Sequence, residues 1–293
     1  MITFVELGAL GRLGNQLFQY AALKSVAERT GFEPKIPPPD TKIWQNQKCY
    51  LNKFSLKCEF LNSRDYEGIV HRFREPDPSR YYPQVFSIAD NTDLYGFFQN
   101  YRYFSEIGQQ IKEEFELDKD IVLRASSYIE KIRNEGDKDL PIVSVHMRRG
   151  DQSDGTNPAY LTYYGPHGTI SHNSDFGRYF FKALEYFGKN VKYLVFSGGS
   201  RKGDNHNQSD IEWCKKNFNG DNVFYSEGNS DLVDFAIMSR CDHNLATHTT
   251  SFGWWAAFLN KNEDKIVVAP KSYTIPDDGR VQHGFYPPSW VLA

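Results

Sequence analysis

PIVSVHMRRGD, residues 141–151, is the stretch on which the fold turns. Its first seven residues are a short apolar run rich in β-branched types, the pattern of a strand buried on both faces. Working outward from it, strands and helices alternate. Residues 175–187 predict a helix with Tyr179, Phe180, Ala183, Leu184 and Phe187 on one face and Gly188 as its stop. VKYLVFS then predicts a strand, DIEWCKKNF a helix, NVFY a strand and DLVDFAIMSRC a helix. HNLATH, TSFGWWAAFLN and KIVVAP continue as strand, helix and strand. Such alternation builds βαβ units on a parallel sheet covered on both faces. The class is α/β, and residues 139–293 are expected to form a Rossmann-like domain.

Upstream, the polar, turn-rich NEGDKDLP (134–141) is the candidate linker. The N-terminus repeats the same unit: strand ITFVEL, a loop GALGRLG, then a helix from Asn15 with Leu17, Phe18, Ala21, Ala22 and Val26 on one face, stopping at Gly31. Residues 1–138 are therefore expected to be a second Rossmann-like domain. LYGFFQ (94–99) predicts a buried strand, and YFSEIGQQIKEEFEL and DIVLRASSYIEKIRNE predict two helices. Residues 34–93, with PKIPPPD and PDPSRYYP, show little periodicity and are expected to be irregular.

The chain's 293 residues suffice for two domains of roughly 100–200 residues each. With 40% hydrophobic and 24% charged residues it is not globally disordered, and a net charge of −3 supplies no basic field for a nucleic-acid backbone or an anionic membrane. Cys49, Cys58, Cys214 and Cys241 show no metal-like spacing and are expected to be reduced. No signal-peptide pattern and no run of about 18 apolar residues occurs, so a cytoplasmic location is expected, free or peripheral to a membrane. The 15% aromatic content fits a core or a sugar platform equally.

In open α/β sheets ligands bind where strands end and helices begin. Three such loops stand out. GALGRLGNQ has neither the dinucleotide spacing nor a P-loop lysine, yet its glycines would let backbone approach a ligand, or simply make a tight turn. HMRRGD places His146, Arg148 and Arg149 at a strand's carboxyl end, where the planar fork of arginine suits phosphate; a structural pair with Asp151 is the plainer alternative. HTTSFGWW opens a helix with Thr249, Thr250 and Ser251, which can cap it or donate to phosphate, while Trp254 and Trp255 are expected in the core. Together the loops point to a diphosphate held without a metal cluster. Asp231 and Asp234 are expected to be a capping or surface pair.

GRLGNQLFQYA, VSVHMRRGD, TSFGWWAAFL and GFFQNYRYF together resemble the α-1,2-fucosyltransferases of glycosyltransferase family 11. EWCKKNF, DFAIMSRCDHNLAT and PPSWV look like the animal branch of that family. The resemblance covers residues 1–30, 94–104 and about 142–293. It implies a GT-B-like pair of Rossmann-like domains facing a cleft, the first on the acceptor side and the second on the GDP-fucose side. It implies inverting transfer of L-fucose from GDP-β-L-fucose to the 2-hydroxyl of a terminal galactose in a glycan, without a metal or other cofactor. By the same resemblance, Arg148 binds the β-phosphate with His146 in support, and Gly14 and Asn15 belong to the donor loop. Arg149, Ser197, Thr250, Ser251 and Phe252 complete the substrate-binding set, and Asp151 or Asp154 is the candidate base, unless GDP itself takes the proton. The chain departs from many bacterial members after Phe196-Ser197, where Gly198-Gly199 replace two aspartates and Asp204 is the substitute guanine partner. The alternatives are an α-1,6 or protein-O fucosyltransferase, a non-catalytic GDP-sugar-binding protein, or a structural α/β protein.

Overall fold

A computed structural model describes residues 1–39, 43–44, 47–150, 169–198, 207–247, 250–271, 273–274 and 281–293. By packing, the chain divides into one unit of residues 1–118 with 281–287 and another of 119–280 with 288–293. The division falls earlier than the 138/139 boundary expected from the polar stretch. The helix Lys119–Arg133 goes with the second unit because its apolar stripe, Ala125, Ile129 and Ile132, is buried against that unit's helix Asp231–Met238.

In the first unit, β1 (Ile2–Thr3), β2 (Pro34–Ile36), β3 (Glu59–Phe60), β4 (His71–Arg74) and β5 (Thr92–Tyr95) form a parallel sheet in the order β3-β2-β1-β5-β4. β1 feeds α1 (Leu13–Thr30), which is buried along most of its length and closes on Gly31, whose N–H donates to the Ala27 carbonyl at 2.8 Å. Two expectations are corrected here. Residues 34–93 are not irregular: they supply β2, β3, β4 and a short helix, α2 (Ser63–Glu67). Their strands run two to four residues, and β4 (HRFR) is largely exposed, so no apolar run or alternation marks them. LYGFFQ is strand only as far as Tyr95; Gly96 and Phe98 then take positive φ values of 154° and 50° and turn the chain. Beyond them lies α3 (Gly108–Glu114).

The second unit opens with α4 (Lys119–Arg133) and contains β6 (Ile142–Arg148), α5 (Asp175–Phe187), β7 (Lys192–Gly198), α6 (Asn207–Asn217), β8 (Val223–Tyr225), α7 (Asp231–Met238), β9 (His243–Leu245), α8 (Ser251–Leu259), β10 (Val267–Ala269) and β11 (Val291–Leu292). The sheet is parallel throughout, in the order β8-β7-β6-β9-β10-β11. The chain winds outward one way from β6 and then, starting again at β9, the other way, which is the strand order of dinucleotide-binding folds. β6 and β7 are buried except for the terminal Arg148. Val143, Val145 and Met147 of β6 meet Phe176, Tyr179, Phe180 and Ala183 of α5 in the core. Trp254 and Trp255 are fully buried, as expected. All four cysteines are free thiols, and no helix among the described residues is long and apolar enough to cross a membrane.

Candidate active site

In a sheet wound in two directions, the strands on either side of the reversal diverge and leave a crevice at their carboxyl ends. In the second unit these strands are β6 and β9, and the crevice is where His146, Arg148 and the start of α8 are placed. The register pairs Val145 with Leu245, so the residues that follow each strand emerge side by side.

His146 ties the two strands together. Its carbonyl accepts from Thr247 Oγ1 at 2.5 Å, and its Nδ1 lies 2.9 Å from Thr250 Oγ1. Thr250 is the N-cap of α8, and its hydroxyl also accepts the Gly253 N–H at 3.2 Å. The cap therefore serves two ends at once: it satisfies a helix N–H and fixes the imidazole. Burial, reinforced by the Arg148 charge, pushes His146 down to about 3, so the ring is neutral at physiological pH. A neutral, anchored imidazole orients its neighbours and is not a proton carrier near neutrality. Phe252 completes the corner, its ring 5.4 Å from His146 and 5.1 Å from Phe235 of α7.

The paired arginines diverge. Arg148, at the last position of β6 and half-buried, donates from Nη1 to the Gly198 carbonyl at 2.9 Å, so its guanidinium lies along the carboxyl edge of the sheet. Arg149 turns the other way. Its Nε is 3.2 Å from Asp210 Oδ1, and its guanidinium stacks 3.9 Å from the Trp213 ring. The second oxygen of the nearly buried Asp210 accepts the Gly150 N–H at 2.9 Å. Asp210 and Trp213, one helical turn apart on α6, thus clamp the turn that carries Arg148. Ser197 is likewise committed to structure, donating to the Met147 carbonyl at 2.8 Å between β7 and β6.

Asp151, Asp154, Asp204 and Thr249 lie outside the described residues. Ser251 and Phe252 form the first turn of α8. Gly14 and Asn15 lie in the first unit, in the first turn of α1, where Gln99 Nε2 donates to Asn15 Oδ1 at 2.6 Å. A side chain at Gly11, where φ is 89°, would be strained and would displace Asn15, whose amide nitrogen lies 2.2 Å from where a Cβ would stand. The Tyr81 ring carries the Arg102 guanidinium at 4.7 Å and packs against Tyr103 at 4.9 Å.

The expectation of a capping or surface pair at Asp231 and Asp234 is corrected: Ser230 is the N-cap of α7, and only Asp231 is exposed. Asp234 is half-buried at the carboxyl end of β8, where its Oδ1 accepts from Ser226 Oγ at 2.6 Å, with Asn229 Nδ2 on the same hydroxyl at 2.9 Å. Burial, with Asp231 adding repulsion, raises its pKa to about 7. A sequence signal for this exists: a lone carboxylate inside LVDFAIM, a run apolar on every side, stands on a helix that is buried around its circumference.

A model of glycosyl transferase family 11 matches residues 3–293. The chain belongs to that family. It is accordingly a glycosyltransferase. Among its relatives, galactoside alpha-(1,2)-fucosyltransferase 2 of Bos taurus is 27% identical over 282 residues, covering 92% of this chain and 72% of that protein. Alpha-1,2-colitosyltransferase of Escherichia coli is 28% identical over 285 residues and covers 89% of both chains. Among solved structures, POFUT1 in complex with GDP superposes with a TM-score of 0.50 at 12% identity, over 90% of this chain and 95% of that one. That likeness concerns the fold, and family 11 membership is here carried on two parallel Rossmann-like sheets of GT-B type.

Proposed function

We propose that this family 11 enzyme is an inverting, metal-independent galactoside 2-α-L-fucosyltransferase that uses GDP-β-L-fucose. The observation that carries the reading is the position of Arg148. A guanidinium lies on the carboxyl edge of the strand where the sheet reverses, two residues beyond the His146 whose ring meets the capping Thr250 of α8. Glycosidic cleavage at a nucleotide sugar leaves negative charge on the departing diphosphate. A pre-oriented guanidinium and a helix N-terminus, with Thr250, Ser251 and Phe252 at its start, are suited to receive that charge. Neutral His146 holds Thr250 and α8 in register with Arg148. Asp234 is the guanine reader: a carboxylate accepts from N1–H and the 2-amino group together, a pairing an adenine cannot make. Arg149 acts by holding the turn through Asp210, and Gly14 and Asn15 are the substrate-binding positions of the first unit. Asp151 remains the proposed base for the acceptor hydroxyl.

Two named relatives share the α-1,2 linkage and differ in the sugar, fucosyl in one and colitosyl in the other. A colitosyl donor is therefore the second reading, and it leaves the nucleotide end of the site unchanged. The purified chain, incubated with GDP-fucose and lactose with and without EDTA, is expected to give a product with fucose α-linked to galactose O2, at a rate EDTA does not alter. Linkage analysis by NMR reads the outcome. No transfer to any galactoside overturns the activity, and loss with EDTA overturns the metal-free mechanism.

A further inference from the structure

Glu75 is a carboxylate in a place where charge is costly. It follows β4, is 6% exposed, and has no cationic partner among the described residues. What holds it is backbone. Its Oε2 accepts the N–H groups of Phe97 and Phe98 at 2.8 and 2.9 Å, and Tyr103 donates to Oε1 at 3.4 Å. Its own N–H is tied to the Tyr95 carbonyl at 2.8 Å. The turn it grips is strained. Phe98 has a φ of 50°, in the left-handed region, and a Cβ on Gly96 would lie 2.5 Å from Glu75 Cβ. A non-glycine residue is kept there only where its surroundings over-determine it.

The turn leads to the site. Its last residue, Gln99, donates to Asn15 Oδ1 at 2.6 Å. Its first, Gly96, offers its carbonyl at 3.1 Å to Gln19 Nε2, which also reaches the Leu10 carbonyl of the glycine-rich loop at 2.9 Å. The buried Glu114 shows what a merely structural acid looks like in the same unit: it pairs with Lys24 at 3.2 Å, takes the Lys57 N–H at 3.0 Å, and accepts from the Tyr20 hydroxyl and the Gln110 amide, and none of these partners lies in a loop of the site.

We propose that Glu75 is a positioning residue, whose carboxylate sets the Gly96–Gln99 turn and, through Gln99, the side chain of Asn15. The assignment rests on the proposed function in one respect, that Asn15 faces substrate. It also gives the segment between β4 and β5 a role. Glu75 holds the turn, and the Tyr82 N–H, donating to Tyr103 Oη at 3.0 Å, holds the Tyr103 that holds Glu75.

The test compares Glu75→Ala, Glu75→Gln, Gln99→Ala and the Glu75→Ala/Gln99→Ala double variant in the full chain, by transfer kinetics and by hydrogen exchange over residues 8–17 and 94–100. Glu75→Ala and Gln99→Ala are each expected to lower kcat/KM on the order of 10- to 100-fold, the scale on which misplaced contact groups are felt. Because they act on one path, the double variant should be no worse than the poorer single one. Glu75→Gln, which keeps an acceptor oxygen, should recover most of the loss. Glu75→Ala should also speed exchange in both segments. Losses that multiply in the double variant overturn the proposal, and so do wild-type kinetics in Gln99→Ala, an outcome that stands even if Glu75→Ala fails to fold. If the wild-type chain transfers no sugar, the functional reading has failed, and exchange alone decides. Segment 8–17 unchanged in Glu75→Ala would then overturn the positioning role.

Discussion

Replacing Arg148 by alanine is expected to lower kcat on the order of 10²–10³-fold while leaving the acceptor KM nearly unchanged. The diphosphate gains its charge only as the bond to the sugar breaks, so a group aimed at it acts on the transition state more than on bound substrate. The loss corresponds to roughly 3–4 kcal/mol, the usual worth of one pre-oriented donor in a water-poor site. Lysine should not rescue it. The bond to the Gly198 carbonyl fixes the direction of the planar Arg148 fork, whereas an ammonium offers a single point with no fixed direction. Because the side chain is only half-buried at a strand end, the alanine variant should fold, and circular dichroism checks that before kinetics are compared. Turnover near wild type in either variant removes Arg148 from the mechanism.

The second large effect is expected at Asp234, where stability and binding should move in opposite directions. The folded protein raises this carboxyl from 3.8 to about 7, chiefly by burial. Between those values the native state holds a proton that the unfolded chain has released, so stability falls as pH rises through the window, and the penalty is complete above about 7. Asp234→Asn keeps the shape and can still accept from Ser226, but carries no charge to desolvate. Its melting temperature should exceed that of wild type by a margin that widens from about pH 4 to about pH 7 and then stays level. The same substitution should weaken GDP binding on the order of 10- to 100-fold, because an amide cannot accept both guanine N–H groups as a carboxylate does. Calorimetry with GDP and thermal unfolding across pH read both halves. A stabilised variant with unchanged GDP affinity would leave Asp234 a half-buried structural acid and no base reader.

These two residues also show how much is legible in the sequence. Arg148 is visible there because β6 is a clean apolar run, and any cation at its end stands out. The helix Asp175–Phe187 is visible because its apolar period and its glycine stop agree. Asp234 is easily missed because two aspartates three apart near a helix start look like ordinary capping, and only the apolar residues around the second one argue otherwise. The difference between Arg148 and Arg149 is not legible at all. It depends on Asp210, some sixty residues away, reaching back across α6 to take Arg149 and the Gly150 N–H. Glu75 is hidden for a similar reason: β4 is short and exposed, so nothing in HRFRE marks its last residue as the support of a turn after β5. Strand order, which puts β6 beside β9, comes from pairing over long separations and has no local signature.

The central claim is that the carboxyl ends of β6 and β9 form the diphosphate site, and a structure of the protein bound to GDP tests it most directly. The β-phosphate is expected within hydrogen-bond distance of the Arg148 guanidinium and the start of α8 at Thr250–Ser251, with the guanine edge on Asp234. A diphosphate bound elsewhere, with the Arg148 guanidinium and Asp234 carboxylate making no contact to the nucleotide, would contradict it.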